Sequence, residues 1–159
     1  MGSTINNNIQ DSFCSFEVSK LLREKGFNVP CSTHWEWGNG DLKNGISPGI
    51  FIGGFLNEES CPRNYCNSEL MSSYTEGDNL FGEFSRPTHA VATEWIKQNF
   101  NILIQSMLYR RNPNDYICGI YFNKLDSHFT EPCNSPQEAI EFGLLYTLKN
   151  IVGKWDSHT

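Results

Sequence analysis

Ile102-Leu-Ile-Gln-Ser-Met-Leu-Tyr-Arg-Arg-Asn-Pro-Asn-Asp-Tyr-Ile-Cys-Gly-Ile-Tyr-Phe122 is the stretch that decides the fold. Two apolar and aromatic runs, 102–109 and 116–122, flank Arg110-Arg-Asn-Pro-Asn-Asp115. Asn and Asp bond their own backbone and Pro fixes φ, so this segment turns the chain and the two runs pair as an antiparallel hairpin. In the second run Tyr116, Cys118, Ile120 and Phe122 share one face.

Helix signals lie on both sides. Downstream, Ser135-Pro-Gln-Glu138 reads as a capping box with Pro at the first helical position, and Ile140, Leu144, Leu148 and Ile151 form an inner stripe that Gly153 ends. Upstream, Ser85 is placed to cap a helix with Pro87 in its first turn, where Val91, Ala92, Trp95, Ile96 and Phe100 recur at helical spacing. Near the start, Ser15 caps Phe16–Lys25, with Val18, Leu21, Leu22 and Lys25 on one stripe. Gly26 stops that helix and Phe27 packs after it. Cys31–Trp37 alternates as a strand, putting Cys31, Thr33, Trp35 and Trp37 on one face and His34 with Glu36 on the other. The predicted core joins Leu21, Leu22, Trp95, Ile96, Ile104, Ile120, Leu144 and Leu148.

Between Gly38 and Phe84, 8 Gly, 6 Asn, 5 Ser and 2 Pro are turn chemistry rather than regular structure. The segment reads as a long irregular insertion, pinned by one short strand at Gly49–Leu56, and it carries 7 acidic against 2 basic residues. Residues 1–11 are polar, Asn-rich and without periodicity, which predicts a frayed arm. The fold class is α+β: a small, mostly antiparallel sheet packed against about three helices, with the acidic insertion at 38–84.

The 159 residues (18.2 kDa) supply apolar material for a single domain over 1–159. No apolar run reaches membrane-span length, and the start lacks the layout of a signal peptide, so a soluble protein of the cytoplasm is expected. A net charge of −6 provides no basic field for a DNA or RNA polymer. Six cysteines without a secretion signal read as reduced thiols. The close pair Cys61 and Cys66 lacks the second pair a zinc site needs, so neither metal nor cofactor is expected.

The candidate ligand residues are anion-binding and aromatic. The second helix start, with Ser85, Arg86, Thr88 and His89, offers unpaired N–H groups, a partial positive charge and a guanidinium. Arg110 and Arg111 are the only adjacent basic pair, suited to phosphate oxygens. Trp35 and Trp37 share a strand face on which a base can stack. No catalytic residues are assigned: Cys31 and His34 fall on opposite strand faces, and Gly49–Gly54 lacks the Gly-Lys-Ser/Thr of a P-loop.

Phe16-Glu-Val-Ser-Lys-Leu-Leu-Arg-Glu-Lys-Gly-Phe-Asn-Val-Pro-Cys31, Ser85-Arg-Pro-Thr-His-Ala-Val-Ala-Thr-Glu-Trp-Ile96 and Ser135-Pro-Gln-Glu-Ala-Ile-Glu-Phe-Gly-Leu144 together resemble a family of small uncharacterised proteins of gut Bacteroidetes and their phages. The resemblance covers about half the chain and carries no known activity. Phage accessory proteins of this size are often interaction or ligand-sequestering modules, so by analogy it implies sequestration of a host immune signal in the bacterial cytoplasm. The leading expectation is a non-catalytic protein that binds a small anion of nucleotide or cyclic-nucleotide type, with self-association open. The alternatives are a protein-interaction module docking through the acidic insertion and, third, a small hydrolase using His34 and Glu36.

Overall fold

The computed structural model describes residues 12–38, 49–52, 65–70, 74–76 and 79–152. In chain order they form α1 (Phe16–Glu24), β1 (Thr33–Gly38), β2 (Gly49–Ile52), a 3-10 turn (Asn67–Glu69), β3 (Tyr74–Glu76), β4 (Asn79–Ser85), α2 (His89–Phe100), β5 (Leu103–Leu108), β6 (Tyr116–Tyr121), β7 (Ser127–Phe129) and α3 (Pro136–Tyr146), which continues as a π-helical turn (Thr147–Ile151). This is an α+β fold with two antiparallel sheets, ordered β2-β1-β4-β3 and β5-β6-β7.

The hairpin forms where the sequence places it. Ile104 faces Ile120 and Leu108 faces Tyr116, and the turn closes through Tyr109 N–H to Asp115 O at 2.9 Å. β7 then adds to the free edge of β6. α3 covers this sheet, opened by Ser135, whose hydroxyl accepts the Glu138 N–H, with Pro136 behind it. α1 starts at Ser15, which accepts the Val18 N–H at 3.2 Å. It ends at Gly26, whose φ of 95° is a conformation few other residues adopt without strain.

The segment 38–84 differs from its reading as an irregular insertion with one strand. It supplies β2, β3 and all but the last residue of β4, and so builds most of the first sheet around β1. Trp35 pairs with Ile50 on one side and Phe84 on the other. Strands of three and four residues are too short to show alternation, and the turn residues between them dominate the composition.

The start of the second helix also shifts. Thr88, not Ser85, is the cap, and its hydroxyl accepts the Val91 N–H. Ser85 ends β4 opposite His34. The cause is a strand extension: Arg86 donates its N–H to Thr33 O and accepts the Thr33 hydroxyl on its own carbonyl, both at 3.0 Å. Pro87 also holds Arg86 out of the helical region.

The core runs from α1 through α2 to both faces of the α3–sheet contact. Leu22, Ile96, Ile104, Ile120, Leu144 and Leu148 are buried in it, and Leu21 and Trp95 pack at its margin. Trp95 lies edge-on to both Phe27 and Phe100, at 5.3 and 5.4 Å. The expectations for residues 1–11, Gly53–Leu56, Cys61 and Gly153 lie outside the described residues. No helix among the described residues is long and apolar enough to cross a membrane.

Candidate functional site

Arg86 is fixed by main-chain pairing on both sides. β1 holds its backbone, and residues 12–14 run beside 87–89, with Cys14 N–H on Pro87 O at 2.9 Å and His89 N–H on Ser12 O at 2.8 Å. That pairing puts the Phe13 ring 4.2 Å from the Arg86 guanidinium carbon, and the Trp35 ring is 5.3 Å from it. Both contacts are of cation–π type. Trp35 is itself held edge-on to Phe16 and donates its indole N–H to the Ser19 hydroxyl at 3.1 Å.

Among the described residues the guanidinium is short of polar partners. Arg86 Nε is buried without a hydrogen bond. Among the described residues no carboxylate forms an ion pair with Arg86. Burial draws the group below its ordinary pKa, opposed by the nearby Cys14 sulfur, and an Arg so placed still carries its charge at neutral pH. It borders a cavity of about 160 Å³ that Phe13, Cys31, Ser32 and Thr88 also line. That space suits one phosphate or carboxylate group and is below the size of a site that swallows a whole ligand.

The other sequence-predicted residues do not all converge there. His89 turns away, with Nε2 2.9 Å from Glu141 Oε1, and borders a separate cavity with Ser106 and Gln137. Arg86 and His89 therefore do not share one anion site. The helix start is also less open than its N–H groups suggest, because Ser12 O takes the His89 amide and Thr88 Oγ1 the Val91 amide. Ser85 is buried in β4, and Trp37 is half-buried two residues from Trp35 on the same strand. Arg110 and Arg111 are exposed in the β5–β6 turn, and no described contact joins them to Arg86.

Glu141 knots three segments together. It accepts from His89 and, at 2.7 Å, from the Ser15 N–H. Burial pushes its carboxyl up, but these bonds outweigh it and hold the group below its ordinary range. Cys14 lies beside His89 and Glu141 and suggests a Cys-His-Glu triad. The thiol is 1% exposed, points to Thr88 O, and is pushed far above its usual range by burial, so it is no nucleophile. Burial likewise pushes Cys31 up to about 11.

His34 and Glu36 do meet, as their shared strand face requires, and Glu83 joins them. His34 Nε2 is 3.7 Å from a carboxylate oxygen of each. A fourth feature is a groove of about 460 Å³ between β7 and α3, floored by Phe142, Leu145 and Tyr146, with the His128 ring stacked on Tyr146 at 3.8 Å. Sequence reasoning missed Phe13, Glu83, Glu141 and this groove. Alternation along Asn79–Ser85 is the one signal that could have found Glu83, because it sets Glu83 and Ser85 on one face.

Compared with protein-family models, curated proteins and solved structures, the chain matches none.

Proposed function

We propose that this is a non-catalytic binding protein that takes a small anionic molecule, of nucleotide type, by its phosphate at Arg86. The observation that carries the reading is the Arg86 guanidinium itself, set against two aromatic rings beside a cavity, with a buried Nε and no carboxylate partner among the described residues. A partly desolvated cation with no carboxylate partner among the described residues is costly to hold, and an anionic ligand offsets that cost. A guanidinium fork matches phosphate oxygens, and hydrogen bonds to charged groups contribute about 1.5–3 kcal/mol each. Two such bonds supply about 3–6 kcal/mol, and micromolar affinity, about 8 kcal/mol in all, is reached when the remainder of the ligand packs outside the small cavity and contributes the rest after ordering losses.

A binding role suits the thiols better than catalysis does. Burial keeps Cys14 and Cys31 protonated, and neither sits against a free general base.

Calorimetry with inorganic phosphate and a panel of linear and cyclic nucleotides tests the reading. Micromolar binding to at least one nucleotide is expected, weakened tenfold or more by Arg86→Ala. Absence of heat from every member at high protein concentration would overturn it and leave partner docking through residues 38–84 ahead.

A further inference from the structure

The first sheet carries a donor set that the anion site does not use. Glu36 and Glu83 are direct partners in the β1–β4 ladder, so two carboxylates stand opposite each other on one face. Like charges in that arrangement repel, and the Arg23 guanidinium, which donates to the Glu83 main-chain carbonyl and feels the Glu83 charge, offsets part of that repulsion. His34, two residues along β1, leans over the pair with its side chain 8% exposed and its Nε2 3.7 Å from an oxygen of each carboxylate. Those separations exceed a hydrogen bond, and no described residue donates one to either carboxylate.

The contrast with Cys14, His89 and Glu141 is instructive. There His89 and Glu141 bond each other at 2.9 Å and the same Glu141 oxygen accepts the Ser15 N–H at 2.7 Å, so those ligand atoms are already engaged. In the His34 set all three donor atoms lie within 4.8 Å of one another without bonding to each other. Metal–ligand bonds of about 2.0–2.2 Å place neighbouring donors about 3–3.5 Å apart, so His34 needs to approach each carboxylate by only a few tenths of an ångström from its 3.7 Å, with the exposed Glu36 side chain able to swing in to complete the set. Glu36, with its side chain 51% exposed, leaves a path from solvent.

We propose that His34, Glu36 and Glu83 form a binding site for a first-row divalent transition cation, with its remaining positions open to water. The imidazole selects against Mg²⁺ and Ca²⁺, which take oxygen ligands, and the carboxylates favour a borderline ion such as Zn²⁺, Co²⁺ or Mn²⁺. The fixed elements are backbone-paired strands, so the geometry exists before the ion arrives. The main competitor is counter-charge supplied by the chain itself, from the Arg23 guanidinium beside Glu83.

Co²⁺ separates the two. The full chain, stripped with chelator and kept reduced, is titrated with Co²⁺ and followed by calorimetry and visible absorption. Expected are one ion per chain, a spectrum without the thiolate-to-cobalt charge-transfer band that cysteine ligation gives, and at least tenfold weaker binding in both Glu83→Gln and Glu36→Gln. Glu36→Gln alters a half-exposed side chain and is expected to fold, so the test survives if His34→Gln does not. No binding, a thiolate band, or affinity unchanged in Glu36→Gln would overturn the proposal.

Discussion

Arg86 shows how much one side chain depends on its neighbours. Its charge is general, but its direction comes from Thr33 pinning the backbone and from Phe13 and Trp35 flanking the guanidinium. Phe13→Leu removes one ring and should weaken anion binding severalfold, since a cation–π contact is worth about 0.5–2 kcal/mol. Arg86→Lys should recover little, because an ammonium neither stacks as a plane nor forks to two oxygens; calorimetry reads both. Glu141 makes a second prediction at this scale. Its folded-state pKa lies below its ordinary value of 4.5, so its contribution to stability is complete above that value and is lost as pH falls through the folded pKa. Glu141→Gln should cost about 1–3 kcal/mol at pH 7, and denaturant titrations should show that gap narrowing as pH drops below 4.5.

At the scale of elements, α3 is the part most tightly fitted to its surroundings. Gly143 sits so close to β6 that an added Cβ would collide with Cys118 Sγ and press on Ile104. Gly143→Ala should therefore destabilise by about 1–3 kcal/mol, and Cys118→Ala should recover part of that loss in a double-mutant cycle. One residue on, Leu144 is fully buried, and Leu144→Ala should cost about 2–5 kcal/mol by thermal or chemical melting. The helix then widens where the Thr147 hydroxyl donates to Gly143 O at 2.7 Å, and this π-helical turn presents Lys149 and Asn150 to the groove beside β7. The caps at Ser15 and Ser135 and the stop at Gly26 were all legible, because each is a local bargain between one side chain and nearby N–H groups. Ser85 misled for the same reason: it has the chemistry of a cap, but Thr33, more than fifty residues earlier, holds the next residue in the strand.

Across the whole molecule, legibility follows sequence distance. The β5–β6 hairpin and its covering helix are local and could be read directly, whereas β1 finds β4 across a segment rich in Gly, Asn and Ser that gives no long alternating run. Everything assembled by that pairing was hidden with it: Glu83 beside His34, Arg86 over Trp35, and Phe13 brought in by the strand-like bridge to Thr88. His34 with Glu36 was visible because alternation alone puts i and i+2 together. The proposed landing place for an anion is Arg86 rather than the larger groove. Amide and guanidinium resonances of isotope-labelled protein, followed while a nucleotide monophosphate is added, test this most directly. Binding at Arg86 predicts saturable shifts at Arg86 Nε–H and at the amides of Phe13, Ser32 and Thr88, with residues 128–131 and 142–150 unmoved. Shifts confined to the groove residues, with Arg86 unchanged, would contradict it.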